Sequence, residues 1–73
     1  MAEEKVLIYL YLMRDLIEIR KQKNISQNEM SQRLKRARSY VFNLEKSMNP
    51  RLQDIEAYAE ALGFEIQYYL KDL

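Results

Sequence analysis

Chain breakers are almost absent from this sequence. Gly63 is its only glycine and Pro50 its only proline, among 73 residues. Sharp turns are therefore few, and the composition favours helices. The length allows one domain at most, residues 1–73. A domain of this size buries only about 60% of the surface its unfolded chain exposes. No cysteine is present to cross-link it or to hold a metal. No histidine is present either. The commonest general base and the commonest metal ligand are thus both missing, and an ordinary zinc site is excluded. Self-association is the remaining source of extra stability. No secretory signal is seen. The longest apolar run, Val6 to Met13, is far short of the roughly 20 residues of a membrane span. A cytoplasmic location and no cofactor are expected.

The net charge of +1 hides a segregation along the chain. Between residues 20 and 51 stand nine basic residues (Arg20, Lys21, Lys23, Arg33, Lys35, Arg36, Arg38, Lys46, Arg51) against Glu29 and Glu45, a balance of +7. The remainder sets Lys5, Arg14 and Lys71 against nine carboxylates, a balance of −6. A basic middle on a small domain raises the local concentration of polyanions. A solvated basic surface is the plainer alternative.

Periodicity divides the chain into four helices and a tail. Residues 4–23 read as the first helix, with Leu12, Leu16 and Ile19 at helical spacing and a second stripe of Val6, Leu10, Met13 and Ile17. Two apolar faces need two packing partners. The stretch KVLIYLYL is also a good strand sequence. Ser26, with Glu29 three residues on, forms a capping box that starts a second helix, running to Leu34 with Met30 and Leu34 inward. Lys35 to Ala37 is a three-residue link. The third helix spans Arg38 to Lys46, with Val41, Leu44 and Met48 inward and Arg38, Ser39, Phe42, Asn43 and Lys46 outward. Asn49 as N-cap and Pro50 as first helical residue open the fourth helix, residues 51–62. Its inward residues are Leu52, Ile55, Tyr58, Ala59 and Leu62, and Gly63 ends it in a left-handed turn. In the tail, Phe64, Ile66, Tyr68 and Leu70 alternate with polar residues, as in a strand; Ile66, Tyr69, Leu70 and Leu73 would also suit a fifth helix.

Two short helices joined by a tight link are the core of a helix-turn-helix. Ser26-Gln27, Ser31, Lys35, Val41 and Leu44-Glu45 fall in one register, followed by Asn49–Leu52 and Ala59–Gly63. On these residues the stretch Leu16–Gly63 resembles the phage-repressor helix-turn-helix, the lambda repressor/Cro-like or XRE family. The resemblance implies an all-α, compact four-helix domain that binds double-stranded DNA in the major groove. It further implies a buried ion pair between Arg20 and Glu45, tying the first helix to the third. Three positions depart from the pattern. Lys35 replaces the turn glycine, which costs on the order of 1 kcal/mol if its backbone is left-handed. Ala37 stands where a capping Ser or Thr is usual, and Phe42 puts a large apolar group on the DNA-facing surface.

Residue chemistry suggests the roles. Ser31 is small where the two helices cross. Arg38 can grip a guanine and Asn43 an adenine through two hydrogen bonds each, and Phe42 can touch a thymine methyl. Ser39 can reach base or phosphate. The alternatives are a phosphate contact for Arg38, an orienting role for Asn43, and packing beneath basic side chains for Phe42. Gln27, Arg33, Lys35, Arg36, Tyr40, Lys46 and Arg51 are candidates for the phosphate backbone, which supplies affinity and salt dependence rather than specificity. Gln27 can otherwise brace a recognition side chain, and Tyr40 can simply pack.

A lone strand has no partner for its backbone groups. Pairing it with a second copy buries Phe64, Ile66, Tyr68 and Leu70, so residues 64–73 are a candidate dimerisation tail. Some helix-turn-helix antitoxins have such a strand, and the tail resembles theirs. A two-fold dimer sets its recognition helices about 34 Å apart on a palindromic site. The expected function is a dimeric repressor acting by occlusion, such as a phage or plasmid repressor or a restriction-modification controller. The alternative is an antitoxin or interaction module holding a protein partner such as a toxin. Nucleophile, metal and phosphate-loop signatures are lacking, so no enzyme is expected.

Overall fold

The computed structural model describes residues 2–67 and 70–72, and side chains from Ile8 onward. Among the described residues it has four helices: α1 Ala2–Gln22, α2 Gln27–Arg33, α3 Tyr40–Glu45 and α4 Leu52–Ala61. No strand occurs among the described residues. The fold is all-α, as expected. α2 packs on α3, and α1 crosses both α3 and α4.

α1 resolves the strand-or-helix ambiguity of KVLIYLYL in favour of helix. A helix satisfies its backbone groups internally, whereas a strand here would find no described partner. Met13, Leu16 and Arg20 form its buried line, with Leu12, Ile17 and Ile19 packed at the margins. Ile8 and Tyr11 remain 60% and 57% exposed. The core is completed by Ile25, Met30 from α2, Val41 and Leu44 from α3, and Ile55, Tyr58, Ala59 and Leu62 at α4. Met48 does not join it and is 76% exposed. α3 stops at Glu45, so the spacing that turns Val41 and Leu44 inward does not carry on to Met48.

Three helices end in the same way. Beyond α1, Asn24 N–H donates to the Lys21 carbonyl and Ile25 N–H to that of Arg20. Beyond α2, Lys35 bonds to Gln32 and Arg36 to Ser31; beyond α4, Gly63 bonds to Glu60 and Phe64 to Ala59. Each is a paired Schellman closure, which needs one left-handed residue. Those residues are Asn24 at φ 58°, Lys35 at φ 55° and Gly63 at φ 92°. Lys35 is the costly one, because its Cβ crowds the backbone in this region. Replacing Lys35→Gly should raise stability by up to about 1 kcal/mol, a rise of roughly 4–8 °C in Tm for a domain this small. Thermal melting followed by circular dichroism tests it, and an unchanged or lower Tm would contradict it.

The helix starts differ from the sequence expectation in three places: α1 begins at Ala2 rather than residue 4, and α3 and α4 also start elsewhere. α2 begins as expected: the Ser26 hydroxyl accepts from Glu29 N–H at 3.0 Å. α3 begins at Tyr40 rather than Arg38 and ends at Glu45 rather than Lys46. Tyr40 N–H closes a turn on the Ala37 carbonyl, while Val41 N–H goes to the Ser31 hydroxyl, so Arg38 and Ser39 form a turn that leads into the helix. At α4, Arg51 is the N-cap, not Asn49, and Pro50 precedes the cap instead of opening the helix. A cap is the extended residue whose own carbonyl accepts the first helical bonds, and Arg51 is that residue, with φ −79° and ψ 144°. Asn49 N–H turns back to the Ser47 hydroxyl, and the Arg51 carbonyl accepts the first helical bonds from Asp54 and Ile55.

After Gly63 the chain is neither strand nor fifth helix over residues 64–67 and 70–72. The left-handed turn ends the helix, and no described strand offers the tail backbone partners. The alternation is also broken. Ile66 packs against the core, Phe64 stays 46% exposed with Lys23 Nζ 5.7 Å from its ring centre, and Leu70 is fully exposed. Tyr68 and Tyr69 lie outside the described residues.

Candidate nucleic-acid interface

α3 and the turn before it carry one open face. Val41 and Leu44 point into the core, which leaves Arg38, Ser39, Phe42, Asn43 and Lys46 exposed together, at one-turn spacing. Lys35 and Arg36 flank this face on the side of the α2–α3 turn, and Arg51 flanks it at the cap of α4; all three are exposed.

Ser31 fixes how this unit sits on α2. It is fully buried. Its hydroxyl accepts from Val41 N–H at 3.1 Å and donates to the Arg38 carbonyl at 3.3 Å. Its small size is thus only half of its role. A buried hydroxyl needs partners, and this one takes them from the backbone at both sides of the α3 start. That serine stands here rather than alanine is the only signal of this in the sequence.

The far end of α3 is held by a polar cluster around Glu45. Arg20 forks onto it, Nε to Oε2 at 2.8 Å and Nη2 to Oε1 at 3.1 Å, with both side chains 8% exposed. The ion pair implied by the resemblance is therefore present. Arg20 Nη1 also donates to the Ile25 carbonyl at 2.7 Å. The Tyr58 hydroxyl donates to Glu45 Oε2 at 2.7 Å and accepts from Arg20 Nε at 3.1 Å. Gln27 Nε2 donates to Oε1 at 3.0 Å. All four helices meet at this one carboxylate. Burial works against the Arg20 charge, but the hydrogen bonds and charge of Glu45 outweigh it, with help from Tyr58, and raise its pKa. Burial, and then Glu45 as acceptor and as charge, lift the Tyr58 hydroxyl well above the usual tyrosine range, against the opposing pull of Arg20. Tyr58 stays neutral and remains a donor.

Several candidate phosphate ligands hold other parts of the fold. The Gln27 amide nitrogen belongs to Glu45, in keeping with a bracing role. The Tyr40 hydroxyl donates to Asp54 Oδ1 at 2.9 Å, fastening the start of α3 to α4, and the Arg36 guanidinium lies 5.0 Å from the centre of its ring. Burial, and then the bond to Asp54, raise the Tyr40 pKa. Arg33 Nη1 donates to the Ala61 carbonyl at 3.2 Å, in the last turn of α4. Phe42 is 51% exposed, and Lys46 Nζ stands 4.5 Å from its ring centre.

A family model described as helix-turn-helix matches residues 16–69. The chain belongs to the lambda repressor/Cro-like (XRE) helix-turn-helix family. The match runs from the buried Leu16 through all of α2, α3 and α4 into the tail, so it takes in both the Ser31 bridge and the Glu45 cluster. Neither curated proteins nor solved structures give a significant match. As a member of this family the helix-turn-helix chain is a DNA-binding domain of the transcription-regulator type. No described helix is long and apolar enough to cross a membrane.

Proposed function

We propose that this helix-turn-helix protein is a sequence-specific regulator that binds a two-fold symmetric operator as a homodimer and represses by occlusion. The observation that carries the reading is the face of Arg38, Ser39, Phe42 and Asn43, open to solvent while Ser31 and Glu45 anchor α3 at both ends. A rigid helix with exposed hydrogen-bonding side chains suits the major groove, where each base pair has its own donor and acceptor pattern. Arg38 and Asn43 read bases, Ser39 reaches base or phosphate, and Lys35, Arg36 and Arg51 neutralise phosphates on either side. A second copy is favoured by the apolar groups left open in one chain: Phe64 and Leu70 in the tail, Ile8 and Tyr11 on α1.

Selection of binding sites from a randomised duplex pool, repeated with Arg38→Ala, tests this. The wild type should enrich a symmetric site. The variant should lose discrimination at one position per half-site, by about 5- to 150-fold, the worth of one bidentate base contact. Uniform weakening with the pattern intact would place Arg38 on phosphates, and no enrichment would refute the reading. A second reading, an antitoxin-like module, is favoured by a groove of about 380 Å³ between α1 and the end of α3, with Leu10, Tyr11, Met13, Ile17 and Met48 on its walls. Co-purification of a defined second polypeptide that shields this groove would support it.

A further inference from the structure

Phe42 is out of place on a polar recognition face. Half of its surface is open, one turn beyond Arg38 and beside Asn43. It is not a misplaced core residue, because Val41 and Leu44 already fill the buried side of α3. The Lys46 ammonium, one turn further on, lies 4.5 Å from its ring centre. A cation at that distance is attracted to the ring and restrains both side chains. The face therefore presents an apolar surface and a positive donor side by side.

That pair selects among bases. The polar edges of bases would lose water against a phenyl ring and gain no hydrogen bond. The one apolar group on the major-groove edge is the 5-methyl of thymine, and its neighbour on the ring is the O4 acceptor. Cytosine puts an amino donor in that neighbouring position and carries no methyl. A donor beside an ammonium is repelled. We infer that Phe42 and Lys46 together read a single thymine, Phe42 covering its 5-methyl and Lys46 donating to its O4. This rests on the proposed major-groove binding, and it takes Lys46 from the phosphates to a base.

The test uses the site selected by the wild-type protein. Each thymine is replaced singly by uracil, which keeps O4 and removes only the methyl. Burial of one methyl corresponds to about a fourfold change in affinity. One position per half-site should weaken by about fourfold with uracil. Phe42→Ala should bind the thymine and uracil sites alike, with the affinity the wild type has for uracil, and this shared affinity also shows that the variant is folded. Arg38→Ala should keep the thymine preference. If no thymine is sensitive, or if the sensitivity persists in Phe42→Ala, the inference is overturned while the regulator reading stands. If the wild type selects no site, both fall. Placing 5-methylcytosine opposite guanine at the sensitive position keeps the methyl but reverses the neighbouring group; binding as tight as to thymine would overturn the role given to Lys46.

Discussion

Arg20→Met should cost about 3–5 kcal/mol of unfolding free energy, the usual penalty for removing one partner of a buried ion pair. A chain of 73 residues has a total stability of roughly 4–11 kcal/mol at typical values per residue. The loss is therefore a large fraction of the total, about half at mid-range values, and the variant should melt well below the wild type. The loss is large because of what stays behind. Glu45 is left without its cation at 8% exposure, with only Gln27 and Tyr58 to serve it. The Ile25 carbonyl also loses its donor. Methionine matches the arginine stem in bulk, so little of the effect comes from a cavity. The double variant Arg20→Met, Glu45→Leu separates the two contributions. Replacing both charges with apolar groups removes the stranded carboxylate, and a buried pair often gives way to apolar residues at little cost. It should be more stable than Arg20→Met alone. Urea unfolding of the wild type, both single variants and the double variant gives the coupling energy. A single-variant loss below about 1 kcal/mol, the range of exposed pairs, would mean that the cluster does not fasten α3.

What could be read from the sequence, and what could not, divides by sequence separation. The left-handed backbone at Lys35 was open in the sequence, where only the turn glycine of the resembling family pointed to it. The Ser26 cap and the Gly63 stop are local, because each depends on residues within about one turn. They were legible as such. The core of α4 was legible from periodicity, as was most of α1. Boundaries set by a contest between neighbouring groups were not. Asn49 is a good cap by type, but its own N–H turns back to the Ser47 hydroxyl and the first helical bonds go to the Arg51 carbonyl, so the start moves to Arg51. The α3 start moves because a hydroxyl ten residues earlier, on Ser31, takes the Val41 amide. In the candidate site, the exposed residues of α3 follow from the helical period alone. The Arg20–Glu45 pair came through the family resemblance, not from spacing. The partners chosen by Gln27, Tyr40, Tyr58 and Arg33 lie 13 to 28 residues away. Those choices depend on which helix ends meet, and a polar residue type does not encode that. The tail is coil over residues 64–67 and 70–72. Its alternation suits a strand, but a strand needs a neighbour, and a single chain supplies none.

DNA binding should fall steeply with salt, and the slope measures how many copies engage. Three cations flank the open face without a carboxylate partner among the described residues: Lys35, Arg36 and Arg51. Each phosphate neutralised contributes about −0.9 to the slope of log K against log salt on duplex DNA. A dimer placing three on each half-site neutralises six phosphates, for a slope of about −5. Raising salt from 50 to 200 mM should then weaken binding about a thousandfold. One copy alone would give a slope near −3 and a loss of only about fortyfold over the same range. Arg51→Gln should flatten the dimer slope by about 2, one phosphate contact from each copy. Lys46→Gln should leave the slope nearly unchanged if Lys46 meets a base. Arg33→Gln should also leave it unchanged, because that side chain serves the Ala61 carbonyl. Titration of a fluorescent operator at several salt concentrations yields all of these slopes. A wild-type slope shallower than about −2 would contradict backbone contacts by these residues. A slope near −3 on a symmetric site would mean that one half-site is filled at a time, and the apolar groups at Phe64 and Leu70 would then need an occupant other than a second copy.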